Sequence, residues 1–224
     1  MEILKLESVS YTYRNKYQTV HAVNNVTTAF ETGKVYAIVG KSGSGKTTLL
    51  SMLAGLDLPT EGAVFYQGKA TSKMELDRYR REDVSVIYQS YNLFPLLTVE
   101  ENVMYPAQLL GVSAKNARQT AEEMLVKVGL QKGQFKRFPS MLSGGEQQRV
   151  AIARTLATHP KIILADEPTG NLDVDNGDNV VDILIGLAHE LDYCVIIVTH
   201  DNVLASKADV KRCMSDGHLS EESD

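Results

Sequence analysis

An α/β fold around a largely parallel central sheet is predicted by three features of this 224-residue chain. Two apolar runs of strand length, Lys161-Ile162-Ile163-Leu164-Ala165 and Cys194-Val195-Ile196-Ile197-Val198, flank a helical stretch near Val180 to Leu191. Continuous apolar runs suit strands buried on both faces. A third short run, Val35-Tyr36-Ala37-Ile38-Val39, enters a glycine-rich loop and then a helical pattern from Thr48 to Ala54. From Thr98 to Leu142 the pattern turns helical, which inserts an α-helical subdomain between core strands.

The first thirty residues alternate and are rich in Val, Thr and Tyr, so they read as antiparallel strands with a loop near Arg14-Asn15-Lys16. Gly62-Ala63-Val64-Phe65-Tyr66 adds a strand after Pro59-Thr60-Glu61. Thr98 with Glu101 forms a capping-box signature for a helix running towards Gly111, and Ser113 caps a second helix ending at Gly129. No internal repeat or low-complexity linker is visible. Residues 1–224 therefore read as one domain, with a core and antiparallel β subdomain over 1–92 and 149–224 and a helical subdomain over 93–148.

Composition narrows the function classes. The chain holds one sizeable core and is too short for two such units in tandem. Its longest apolar runs fall far below the roughly 20 residues of a membrane helix. The N-terminus has no basic region followed by an apolar segment, so a cytosolic location is expected. A net charge of −5 argues against a broad nucleic-acid footprint. Cys194, within a strand pattern, and Cys213 read as buried or free thiols, which sets redox chemistry aside. The acidic end, Glu221 to Asp224, reads as a solvated terminus without function.

Gly40-Lys41-Ser42-Gly43-Ser44-Gly45-Lys46-Thr47 carries the chemistry. Glycines permit a backbone path whose N–H groups point inward, and the helix that follows adds a favourable dipole for an anion. Lys46 then reaches the β- and γ-phosphates, and Thr47 offers a hydroxyl to Mg²⁺. Asp166-Glu167 ends an apolar strand, where open α/β sheets bind ligands. Asp166 suits a metal-linked position; Glu167 suits a base that takes a proton from water. Ser143 and Glu146 form a capping box, yet capping does not explain Gly144-Gly145 between them, because glycine weakens a helix. An exposed helix N-terminus bearing a serine makes a second phosphate site.

Together with Leu142-Ser143-Gly144-Gly145-Glu146, these motifs resemble, over essentially the whole chain, the nucleotide-binding domain of ABC transporters. The resemblance implies a RecA-like P-loop NTPase core that binds and hydrolyses ATP with Mg²⁺. It implies that Ser143, Gly144 and Gly145 contact a γ-phosphate held by a second copy of the chain. It makes Gln89 the loop glutamine that senses metal and water, Asp173 part of a loop crossing between subunits, and His200 the switch histidine at the γ-phosphate. Tyr13 becomes the aromatic that stacks on adenine, with Tyr11 two residues away on the same strand face. The implied nucleotide set is Tyr13, Gly40, Ser42, Gly43, Ser44, Gly45, Lys46, Thr47, Thr48, Ser143, Gly144, Gly145 and Asp173. The implied catalytic set is Glu167, His200, Gln89 and Lys46, with Thr47, Gln89 and Asp166 at the metal. Lys41 stands where related cassettes often have proline, and Thr47 replaces a common serine.

Within the family, Asn92 to Val103, Phe138-Pro139-Ser140 and Pro168 to Asp173 resemble the group of lipoprotein-release and macrolide-exporter ATPases, with cell-division and antimicrobial-peptide-resistance cassettes nearby. This implies an integral-membrane permease partner of FtsX/MacB-like type, reached from the cytoplasmic side, and either export or mechanotransmission. The alternative is a cell-division-type signalling ATPase that moves no cargo. Leu93, Phe94, Leu96 and Leu97 are candidates either for the permease groove or for the core of the helical subdomain. Cassettes acting on DNA or ribosomes need a long coiled coil or two cassettes in one chain, neither of which fits.

Overall fold

The computed structural model describes residues 1–221, so Glu222 to Asp224 of the acidic terminus lie outside the described residues. Two sheets form the frame. In the first, β1 (Glu2–Arg14) pairs antiparallel with β2 (Thr19–Glu31) on one side and β4 (Glu61–Tyr66) on the other, and β5 (Lys69–Ala70) extends the edge. The turn between β1 and β2 falls at Asn15, whose side chain accepts the N–H groups of Tyr17 and Gln18. This is the expected antiparallel subdomain.

The second sheet has the order β10-β9-β3-β8-β7-β6. Its members are β3 (Val35–Val39), β6 (Val84–Tyr88), β7 (Ile162–Asp166), β8 (Cys194–Thr199), β9 (Val210–Ser215) and β10 (His218–Glu221). Neighbouring strands from β9 to β6 pair in parallel, and β10 closes an antiparallel hairpin on β9. The apolar runs are buried on both faces, as their continuity predicts. Period-two alternation divides them between two cores. Tyr36, Ile38, Ile162, Leu164, Ile196 and Val198 pack towards the antiparallel sheet and α1 (Lys46–Leu53). Val35, Ile163, Ala165, Val195 and Ile197 pack on the other side with α5 (Gly144–Leu156) and α6 (Val174–Leu191).

Register places the chemistry at one sheet edge. Val39 is opposite Thr199, Val198 opposite Asp166, and Asp166 opposite Tyr88, so four adjacent strands end together. Gly40, Glu167, His200 and Gln89 are the next residues of those strands or lie one further on, at the edge where such sheets bind ligands.

The remaining helices are α2 (Leu76–Glu82), α3 (Val99–Leu109), α4 (Ala114–Lys127) and α7 (Asn202–Ala205). Thr98 forms the expected capping box with Glu101, and Ser113 caps α4. Fully buried Asn102 ties α3 to the preceding loop. Its amide donates to the carbonyls of Phe94, Leu97 and Thr98, while its oxygen accepts the Phe94 N–H. A buried amide satisfied on both ends fixes that loop firmly. Glu100, 2% exposed, is paired with Lys136 and Arg118, which joins α3 to α4 and to the turn before α5.

The pattern reading differs from the structure in several places. α6 begins at Val174, not near Val180, because Asp173 accepts the Asn176 N–H and starts the helix through residues of low helix propensity. α5 runs unbroken from Gly144 to Leu156, across the boundary drawn between 148 and 149. Strands β9 and β10 and the short α2 and α7 carry too little apolar periodicity to be read in advance.

Candidate active site

The phosphate loop is held open by contacts on its outer side. Gly45 has φ +105°, and a Cβ there would lie 2.0 Å from the Ala22 carbonyl oxygen of β2. Only glycine meets both demands. Lys46 starts α1, is 7% exposed, and donates from Nζ to the carbonyls of Gly40 (2.6 Å) and Lys41 (3.0 Å). The loop borders an open cleft of about 1020 Å³. Tyr13, Ser42, Gly43, Gly45, Lys46, Thr47, Thr48, Gln89, Asp166, Glu167 and His200 all line it, which brings most sequence-selected residues together. Gly40 and Ser44 border a second cavity of about 570 Å³ on the β9 side of the loop.

At one end of the cleft, the exposed Tyr13 ring packs edge-on against Tyr11 at 4.8 Å, and the Tyr13 hydroxyl lies 3.3 Å from Thr48 Oγ1. Tyr11 turns inward: its hydroxyl donates to Asp57 at 3.4 Å and its ring packs on the inter-sheet core. The structure thus separates the two tyrosines and leaves Tyr13 alone on the cleft wall.

At the other end, Thr47 Oγ1 donates to Asp166 Oδ1 at 3.4 Å. Burial pushes the Asp166 carboxyl up, against the Thr47 hydrogen bond and the Lys46 charge, and the neighbouring Glu167 charge pushes it the same way. Such a group favours a cation beside it. Glu167 sits at φ +47°, an unusual conformation for a non-glycine residue that costs about 1–3 kcal/mol. Surrounding bonds hold it there. Its N–H donates to the Val198 carbonyl (2.9 Å), and its own carbonyl accepts the Gly170 N–H (3.1 Å). Its carboxylate accepts the Thr199 hydroxyl at 3.1 Å and lies 2.9 Å from His200 Nδ1. The twist turns the carboxylate towards His200 and Thr199 rather than out to solvent.

Gln89 donates from Nε2 to Asn171 Oδ1 (3.3 Å), and Asn171 donates back to the Gln89 carbonyl (3.0 Å). Its amide nitrogen is committed, so its oxygen is the atom it can offer a cation. Thr199 and Asn171 were not singled out from sequence. A lone polar residue ending an apolar strand, and an asparagine beside Asp173, were the only signals they gave.

The signature residues lie apart from the cleft. Ser143 caps α5 by accepting the Glu146 N–H (3.3 Å), and Glu146 accepts the Ser143 N–H (2.7 Å). That backbone bond chiefly holds the Glu146 carboxyl below its ordinary range. Ser143 is exposed, whereas Gly145 is buried. A Cβ on Gly145 would lie 2.4 Å from Asn176 Oδ1, and one on Gly144 2.9 Å from the Tyr91 hydroxyl. The close approach that calls for these glycines is thus to the chain's own side chains. Asp173 caps α6, and its carboxylate accepts the Asn176 side chain at 2.9 Å.

Fold and site together define a phosphate-loop nucleoside triphosphatase. The model of the ABC transporter family matches residues 23–170. The chain is 44% identical over 217 residues to the uncharacterized ABC transporter ATP-binding protein YclH of Bacillus subtilis, covering 97% of this chain and 95% of that protein. It is 41% identical over 220 residues to the lipoprotein-releasing system ATP-binding protein LolD of Shewanella frigidimarina, covering 97% and 92%. Among solved structures, the dimeric bacterial ABC transporter cassette MJ0796 superimposes with a TM-score of 0.91 at 38% identity, covering 99% of this chain and 98% of that one. A post-hydrolysis dimer of the same cassette, bound to ADP and Pi, gives 0.90. The chain belongs to the ABC transporter family and is an ATP-binding, ATP-hydrolysing cassette of it. Among the described residues, no helix is long and apolar enough to cross a membrane.

Proposed function

We propose that two copies of this chain close around two ATP molecules, each held by the phosphate loop of one copy and the signature residues of the other, to drive a membrane permease. The observation that carries this reading is the separation of the two phosphate sites within one chain: the cleft holds Lys46, Thr47 and Glu167, and exposed Ser143 at the start of α5 is not on its walls. A dimeric relative supports it.

Within each composite site, Lys46 and the loop N–H groups neutralise charge on the phosphates, which is the main source of catalysis in phosphoryl transfer. Glu167, aligned by Thr199 and His200, takes the proton of the attacking water, a role worth typically ~10²–10⁴ in rate. His200 also reports the γ-phosphate, and Asp173 lies at the subunit crossing. The oxygen donors Thr47, Asp166 and Gln89 fit Mg²⁺, which would add charge neutralisation at the β- and γ-phosphates. Tyr13 supplies a stacking face for adenine.

The segment after Gln89 serves the permease. Leu93 packs on the core, whereas Phe94 and Leu96 are exposed, Phe94 lying against Tyr105 (4.9 Å) and the Arg154 guanidinium (5.9 Å). Phe94 and Leu96 therefore suit a docking surface for an FtsX/MacB-like partner, which would hold the cassette at the cytoplasmic face of the membrane. The helical region, α5 included, moves with that partner, and the work done is export or mechanotransmission of the lipoprotein-release or macrolide type. Affinity purification from membranes tests this: the Phe94→Asp chain binds ATP normally and no longer brings down its permease. Undiminished recovery of the permease contradicts the docking assignment.

A further inference from the structure

Gln148 lies on α5, one turn beyond the signature, and is fully buried. Its Nε2 donates to the Pro168 carbonyl at 2.8 Å. Its Oε1 has no partner among the described residues. An unsatisfied buried acceptor costs about 1–3 kcal/mol, which offsets or exceeds the ~1 kcal/mol that one amide hydrogen bond contributes. As a stabilising device, then, Gln148 is a poor choice for this position, and an apolar side chain of similar length would do as well.

The bond it makes is well placed for another task. Pro168 directly follows Glu167, whose left-handed backbone must be held by its surroundings. Two main-chain bonds, Glu167 N–H to Val198 and Gly170 N–H to Glu167, fix that residue itself. Gln148 fixes the peptide beyond it, and does so from α5. The rest of the loop lies on the same helix: Gly145 abuts Asn176, and Gly144 faces Leu172 and the Asn171 carbonyl.

We infer that Gln148 is a positioning residue that ties the catalytic Glu167 to the helix whose N-terminus receives the partner's ATP. This rests on the composite-site reading above. A shift of α5 on engaging the partner's nucleotide is then passed, through one hydrogen bond, to the base serving the chain's own nucleotide. Each site senses the other without any contact between the two ATP molecules.

Gln148→Met tests the idea, since it keeps length and volume while removing both the donor and the orphaned acceptor. The melting temperature should stay within a few degrees of wild type, KM for ATP should be unchanged, and kcat should fall about tenfold. Gln148→Leu, which likewise removes both the donor and the orphaned acceptor, should show the same split of kcat from KM. A Gln148→Met enzyme with wild-type kcat overturns the inference, as does a kcat loss that merely follows lost thermal stability. ATP-dependent dimerisation, measured in the Glu167→Gln background with and without Gln148→Met, separates this from failure of the composite-site reading. Dimers in both chains leave the kcat result to decide. A monomer in Glu167→Gln alone contradicts the composite site itself and removes the link between sites.

Discussion

The phosphate loop and the signature both place an oriented helix N-terminus where an anion can bind, yet they are built to opposite plans. The loop's cleft is furnished by its own chain: Gly45 is pressed against Ala22, Lys46 is buried, and Asp166, Glu167, Gln89 and His200 gather on the adjacent strand ends. The signature presents an exposed serine and packs its glycines backwards onto Asn176 and Tyr91. One site draws its lining from strands and a loop of a single chain. The other is supported from behind and open in front, which is what a surface meant for a second molecule requires.

This contrast can be broken by substitution. The largest effect should come from Lys46→Ala, which removes the charge at the centre of the phosphate-loop site. ATP hydrolysis should fall at least about a hundredfold, the scale of a lost electrostatic stabiliser, in a steady-state phosphate-release assay. Next come the paired glycine changes. Gly45→Ala places a Cβ against main chain at a forbidden φ and should cost about 2–3 kcal/mol or more in denaturant unfolding. Gly144→Ala closely meets only the tip of the Tyr91 side chain, 2.9 Å away, which can move, and gains about 0.5–1 kcal/mol of helix propensity, so it should unfold close to wild type while losing ATP-dependent dimerisation. If both glycines behave alike, the two sites do not differ as described.

Smaller changes sharpen the same picture. Tyr13→Ala should raise KM for ATP roughly tenfold, consistent with about 1–3 kcal/mol for base stacking, and Tyr11→Ala should leave KM nearly unchanged because that ring faces the core. The smallest effect concerns acid. The folded Glu146 carboxyl is held below its ordinary value by the Ser143 N–H, so its contribution is fully present above that ordinary value, about 4, and is lost as pH falls through the lower folded one. Glu146→Gln should therefore flatten the acid limb of the stability curve by a few tenths of a kcal/mol, readable in urea titrations between about pH 5 and pH 3.

Much of this was legible in the sequence because the signals are local. Val35–Val39 followed by Gly40 to Thr47 can be read without knowing what surrounds it, and so can the capping residues Thr98, Ser113 and Ser143. What escaped depends on three-dimensional neighbours. Thr199 matters through Glu167, Asn171 through Gln89, and Gln148 through Pro168, each at a long chain separation. The same limit applies to Gly145: the sequence shows a glycine that capping does not explain, and only packing shows how closely Asn176 approaches it. β9 and β10 escaped because strands next to the sheet edge such as Val210–Ser215 mix basic and small residues with apolar ones.

The central claim is that the signature of one chain completes the phosphate-loop site of another. Size-exclusion chromatography with light scattering on the Glu167→Gln chain tests it most directly, because blocked hydrolysis should leave ATP trapped between subunits. With ATP and Mg²⁺ the chain should elute at twice its 24.7 kDa mass, and with ADP at the monomer mass. A monomer under both conditions would contradict the claim.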